Sequence, residues 1–304
     1  SNTASSYGGG MNLAAVADVT FVESCTIISN SVTNAVGANG GGVTLYGGNL
    51  TNCIIAWNSA KVSGGGLNII NSAAHKTLIG CSISSNWAGN DGGGINYATD
   101  VGNANTARNC SVTYNMSTNG DGGGIYTGDT ATFFRNCLIA ANESKGMGGG
   151  AYFSATSTLE NCTIALNKAN HANGGGGLYI PLAADRSIVT NCIIALNSGS
   201  TSSNKNYVIL CETNWGYSCT LPAFSGTFNI TNDPMFVNPG AGVGTNLTGA
   251  DLRLIKESPC VNKGCNLDWM NTAFDLDGNP RLIGIVEMGA YEYIPLSGSI
   301  LFVE

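Results

Sequence analysis

The chain has 304 residues, 43 of them glycine and 37 asparagine, against 12 Lys or Arg and 19 Asp or Glu. So little charge with so much turn chemistry excludes an ordinary helical or α/β enzyme, and a hydrophobic fraction of 43% excludes disorder. A formal charge of -7 excludes nucleic acid as a partner, because phosphate neutralisation needs clustered Lys and Arg.

No apolar run approaches the roughly 20 residues of a membrane span. No charged-then-apolar export signal opens the chain, which is the expectation for a mature or excised form. From the first residues onward one phrase recurs. Cysteines stand at Cys25, Cys53, Cys81, Cys110, Cys137, Cys162 and Cys192, in steps of 28, 28, 29, 27, 25 and 30 residues. Two residues after each comes Ile27, Ile55, Ile83, Val112, Ile139, Ile164 or Ile194. Five after each comes Asn30, Asn58, Asn86, Asn115, Asn142, Asn167 or Asn197. Glycine triplets begin at Gly8, Gly40, Gly64, Gly92, Gly122, Gly148 and Gly175, each followed by a short apolar alternation.

Alternation with period two in short β-branched runs gives strands with one buried face, two runs per unit. Fixed strands joined by loops of varying length describe a solenoid. The fold expected is all-β: a right-handed, single-stranded parallel β-helix of about eight to ten coils. Residues 1–200 form the repeat region, and residues 201–304 continue it as C-terminal coils and a terminal segment. Each cysteine and the aliphatic at +2 fill the interior as small apolar groups. Asparagine sits at a corner, where its amide can bond the next asparagine and the turn backbone. Glycine supplies positive φ or close backbone approach at another corner.

The pairs "GGGLNI" with "CIIAWN" and "GGGIYT" with "CLIAAN" resemble right-handed β-helix repeats of bacterial surface and autotransported proteins, the polymorphic outer-membrane type in particular. "NDPMFVNPG" at 232–240, "DLRLIKESPCVNKG" at 251–264 and "FDLDGNPRLIGIVEMGAYEY" at 274–293 resemble the terminal segment of secreted bacterial β-helix proteins of the choice-of-anchor group. That resemblance implies an exported or cell-surface location, with the segment ending the solenoid. It says little about activity, because fold does not carry function.

The candidate sites follow. Cys211 with Cys219, and Cys260 with Cys265, flank short loops and suggest two local disulfides. His75 and His171 lie far from any paired-cysteine spacing, so zinc is not expected. Asp91 and Asp121 precede glycine triplets on neighbouring coils and could share a calcium ion, the one cofactor the sequence leaves open; a plain turn role is the alternative. Asp275 and Asp277 in "DLDG" are a weaker calcium candidate, read as a structural turn with Arg281 near Glu287 or Glu292. Glu23, Arg108, Arg135 and Glu160 sit two residues before a cysteine, and the last three, on successive coils, can pair across the surface. Tyr126, Tyr152 and Tyr179 alternate outward on three consecutive coils, with Thr44, Asn68 and Asn96 further along. They form a strip for a glycan, for a partner protein, or for strand stacking alone.

The function expected is a non-enzymatic extracellular structural and adhesive protein, in contact with glycan or another surface protein, or joined end to end in fibres through solenoid ends and the "SILFVE" tail. No catalytic residue is assigned. The alternative is a polysaccharide lyase or glycoside hydrolase with a groove among residues 71–76, 98–107 and 168–174 and Lys76, Arg108 and Lys168 as candidate bases.

Overall fold

A computed structural model describes residues 1–13, 21–34, 36–70, 75–98, 105–128, 131–181, 186–200 and 205–295. Each repeat folds into four short parallel strands, not two, because two residues per unit take left-handed backbone and interrupt the runs. One precedes the cysteine: Asn52, Asn109, Asn136, Asn161 and Asn191 have φ of 51–55°. The other is the fourth after it: Ser29, Trp57, Ser85, Tyr114, Ala141, Leu166 and Leu196 have φ of 55–60°. Four parallel sheets result, each with eight strands, stacked through about seven turns of solenoid.

The sheets take their names here from the repeat. The glycine sheet (Leu67–Ile69 and its equivalents) follows each glycine triplet. The pre-cysteine sheet (Lys76–Ile79), the cysteine sheet (Ser82–Ser84) and the asparagine sheet (Trp87–Ala88) follow in chain order. Register is strict, with Ile83 paired to Ile55 below and Val112 above, so equivalent side chains form ladders at the inter-strand spacing of about 4.8 Å. The interior is one continuous cluster running from Ile27 to Trp215.

Corners explain the composition. The first glycine of a triplet supplies the turn: Gly92 has φ +63. The second lets two chains meet, since a Cβ on Gly93 would lie 2.4 Å from both Gly123 O and Met116 C. At the corner after the cysteine sheet the asparagines form an unbroken amide ladder from Asn2 to Asn206. Asn58 is typical. Its backbone N and its Nδ2 donate to Asn86 Oδ1 at 2.9 and 3.0 Å, and Nδ2 also donates to Ile27 O at 2.9 Å. These buried amides are thus satisfied coil by coil.

The cysteines do more than fill space. The ladder cysteines are free thiols. Each ladder thiol donates to the carbonyl two residues before it, as Cys137 Sγ does to Arg135 O at 3.2 Å, and most also approach a carbonyl of the preceding coil. The rung after Cys192 is Ser218, whose Oγ donates to Gly216 O at 3.0 Å and accepts from Cys192 N at 3.0 Å. A hydroxyl in the same place with the same partners shows that the corner selects a small side chain with a donor.

The solenoid ends after about seven turns, at the eighth strand of each sheet. Beyond Ile230, which bridges Cys219, the chain lacks the repeated phrase and stops coiling. Residues 232–295 instead fold back along the flank as a strap over the cysteine sheet. The strap contributes Phe236, Leu247, Leu252, Leu254, Cys260 and Met288 to a second core with Ala140, Ala165, Ile193 and Ala195. The tail at 296–304, including the "SILFVE" invoked for fibres, lies outside the described residues, as do 71–74 and 99–104.

If the thiol acts as a donor, Cys137→Ser will unfold at a higher urea concentration than Cys137→Ala, the reverse of the order that apolar burial alone gives. Alanine should cost about 1–2 kcal/mol. Asn115→Ala should cost more, about 2 kcal/mol or above, because it leaves the amide of Asn86 without its acceptor. Equilibrium denaturation of the three variants checks both orders.

Candidate functional site

The outward face of the glycine sheet is less open than alternation suggests. Thr44, Asn68 and Asn96 are buried, with Asn96 Nδ2 donating to Asn68 Oδ1 at 2.7 Å. Tyr126 and Tyr152 are half-buried, and Tyr179 is only 7% exposed. Their rings stack face to face at 5.2 Å and 15°, then 5.1 Å and 11°. The faces are spent on one another, so the strip offers edges and hydroxyls, each stacked pair contributing about 0.5–1.5 kcal/mol.

Asp91 and Asp121 belong to a second rung system beside this strip. Asp91 Oδ1 accepts from Asp121 N at 2.9 Å, and Asp121 Oδ1 accepts from Met147 N at 2.6 Å. Earlier rungs use Asn39 Oδ1 for Ser63 N, and Ser63 Oγ for Asp91 N. Burial raises both carboxyl pKa values, against the hydrogen bonds that lower them. One oxygen of each carboxylate is committed to backbone. Among the described residues no three His, Cys, Asp or Glu side chains converge as a metal ion would need.

Around "DLDG" the protein supplies its own donors. Asp275 Oδ1 accepts from Asp277 N and Asn279 N, and Oδ2 accepts from Asn279 Nδ2 and Glu292 N. Asp277 is held by Arg253 at 2.6 Å. Arg281 is wholly buried, 3.1 Å from Glu292, and donates to the carbonyls of Glu287 and Gly289. This makes 275–292 a structural turn, with Arg281 beside both glutamates.

The strap is fastened by residues that sequence reasoning passed over, the asparagines directly before the cysteines. Asn109 and Asn136 donate to Phe274 O at 2.8 and 2.9 Å. Asn161 donates to Glu287 O, and Asn191 both donates to Cys265 O and accepts from Cys265 N. Left-handed backbone aims these amides outward. The recurring dipeptide Asn-Cys was the available signal. A second clamp lies on the asparagine sheet, where Glu143 receives Lys168 Nζ and Asn170 Nδ2, both at 2.9 Å, and Thr245 Oγ1 at 3.1 Å. Burial works to raise the Glu143 pKa, but those bonds and the Lys168 charge hold it below its usual value.

Of the four cysteines read as two short-loop disulfides, Cys219, Cys260 and Cys265 carry no disulfide bond in the structure. Strand Thr213–Gly216 separates Cys211, packed on the solenoid core, from Cys219, which joins the strap core with Cys260. Cys265 sits apart on Asn191. The candidate bases are also dispersed. Lys76 points into the solenoid, wholly buried. Arg108 lies in register with Arg135 on the outside of the pre-cysteine sheet and is exposed, while Arg135 pairs with Glu160 at 2.6 Å and lies over Trp269. Lys168 is bound to Glu143 on another sheet. Among the described residues no shared groove brings the three together.

Comparison with known protein families and with curated protein sequences found no match.

Two outcomes follow for the strap. Burial pushes the Glu287 pKa from 4.5 up to about 7. The folded state therefore binds more protons than the unfolded state between those values, so this residue's contribution to stability falls as pH rises through them. Thermal unfolding of the wild type at pH 5, 6, 7 and 8 should show that decline, and Glu287→Gln should flatten it; an unchanged slope would refute the assignment. Asn191→Gly keeps the left-handed backbone but removes the amide. It should speed hydrogen exchange in residues 260–290 and leave the early coils protected.

Proposed function

We propose that this chain is a non-enzymatic structural and adhesive β-solenoid of the extracellular or cell-surface kind, with residues 232–295 acting as a lateral strap. The observation that carries the reading is the use already made of its chemical groups. Carboxylates that could act as acid or base serve as backbone acceptors or ion-pair partners, at Asp91, Asp121, Asp275 and Glu143. Of the basic candidates, Lys76 is buried, Lys168 is paired with Glu143, and Arg108 lies exposed on a different sheet from Lys168. A hydrolase needs two carboxylates facing one cavity, and a lyase needs a free base beside a charge-neutralising group.

The repeats and the strap sequences support export and surface display through their resemblance to bacterial surface β-helices and the choice-of-anchor terminal segment. No helix among the described residues is long and apolar enough to cross a membrane. A stack of this kind acts mechanically as a stiff rod, about 34 Å from the first to the eighth strand of a sheet. Its stability is a sum over neighbouring coils, with the strap adding contacts across several at once.

Incubation with neutral and acidic polysaccharides, following new reducing ends and unsaturated products, tests the non-enzymatic reading. No turnover is expected on any polymer. Turnover that disappears in Lys168→Ala or Arg108→Ala would replace this reading with the lyase or hydrolase.

A further inference from the structure

The strap covers the outer face of the cysteine sheet, and its corner with the asparagine sheet, only over the later coils. Over the earlier ones the same face is bare. There Ile28 and Ile54 are 45% and 47% exposed, Trp57 is 70%, Trp87 is 38% and Tyr114 is 36%.

The repeat fixes how the aromatic residues stand. Trp57, Ser85 and Tyr114 occupy one left-handed corner on successive coils, with φ of 57, 55 and 57°. Trp57 and Tyr114 are therefore two coil rises apart, about 9.6 Å. Trp87 follows Ser85 by two residues and pairs with Ser59 and Met116 on the adjoining coils. Three aromatic side chains thus surround a serine. Among the described residues none of the three makes a ring–ring or cation–π contact, in contrast to the tyrosine ladder.

Packing does not call for them. The corner held by Trp57 takes serine at Ser29 and Ser85, and the position of Trp87 takes serine at Ser31, Ser59 and Ser198. Left-handed backbone disfavours a bulky side chain, so tryptophan there works against local preference. The ground between the rings is Ser82, Ser84, Ser111 and Thr113, and residues 52–60, 82–88 and 111–117 include no Asp, Glu, Lys or Arg. At the strap's edge the face ends in a hollow of about 320 Å³, with Tyr114, Thr113, Leu247 and Tyr291 in its wall. Arg253 and Asp251, also in that wall, are 3.1 Å apart and offset each other's charge.

We propose that this face binds a linear, uncharged polysaccharide lying along the solenoid axis, with sugar rings against Trp57, Trp87 and Tyr114. A pyranose has apolar C–H faces and a hydroxyl rim, which match aromatic faces set among serine and threonine hydroxyls. A polymer that repeats along its length suits side chains spaced by coil rise. An acidic polysaccharide would find no cation on these segments and a chain of net charge -7. The proposal rests on the adhesive part of the reading above and gives it a site and a ligand class.

Electrophoresis through native gels containing hydroxyethylcellulose, galactomannan or polygalacturonate tests it. At least one neutral polymer should retard the protein and polygalacturonate should not. Trp57→Ser and Trp87→Ser, which copy the serines of neighbouring coils and should keep the wild-type melting temperature, are each expected to weaken the apparent affinity about tenfold or more. The triple variant Tyr126→Ser, Tyr152→Ser, Tyr179→Ser should still be retarded. The proposal is overturned by the absence of retardation, by equal retardation in polygalacturonate, or by tryptophan variants that bind as the wild type does. A concentration-dependent dimer abolished by Trp57→Ser, without polymer binding, would also overturn it and assign the face to a second copy. Retardation together with release of reducing ends would support this site while removing the non-enzymatic reading.

Discussion

Everything in this molecule depends on closing a coil of backbone without leaving its corner amides and carbonyls unpaired. Strands of two to four residues cannot do this alone, since each ends in a turn where the ladder hydrogen bonds lapse. Side chains take over at those points. The asparagine amides bridge each coil to the next, the thiols and Ser218 donate to the carbonyl at the preceding corner, and Asp91 and Asp121 accept backbone N–H groups beside the glycines. Because every rung bonds the one above it, a single substitution is felt on two coils.

The strap exploits the same corners from outside. Left-handed backbone before each cysteine turns the asparagine amide away from the core, and four such amides in register make a line of donors for a chain running along the flank. At Gly80 the line has no amide to offer, one coil before Asn109, where the fastening begins. Apolar contacts against alanines and Ile193 complete the dock, and the buried Arg281–Glu292 pair holds the strap's last turn in shape. Burying that pair is a weak source of stability, since desolvation opposes the Coulomb attraction; burial brings the Arg281 pKa down to about 10.

Two sets of aromatic side chains then acquire opposite roles from geometry alone. Tyrosines one coil rise apart on a flat sheet collapse onto each other and become part of the scaffold. Tryptophans and a tyrosine staggered around a corner, with serine between them, make no ring contact among the described residues and stay partly exposed. Spacing relative to the coil rise separates the two cases.

Much of the fold was legible in the sequence because a solenoid repeats its constraints. The period of the cysteines, the asparagine five residues later and the glycine triplets identify the coil, its interior ladder and two of its corners, since each residue type answers a local backbone need. What the sequence left open lay between distant segments. Four strands per coil in place of two came from left-handed residues such as Trp57 and Leu166, whose side chains do not favour that conformation and which only the neighbouring rungs impose. The separation of Cys211 from Cys219, the inward turn of Lys76 and the docking of 232–295 on Asn109, Asn136, Asn161 and Asn191 depend on contacts far apart along the chain. Local chemistry repeats and can be read from one unit; the strap and the bare aromatic face exist once, and only tertiary packing decided where one ends and the other begins.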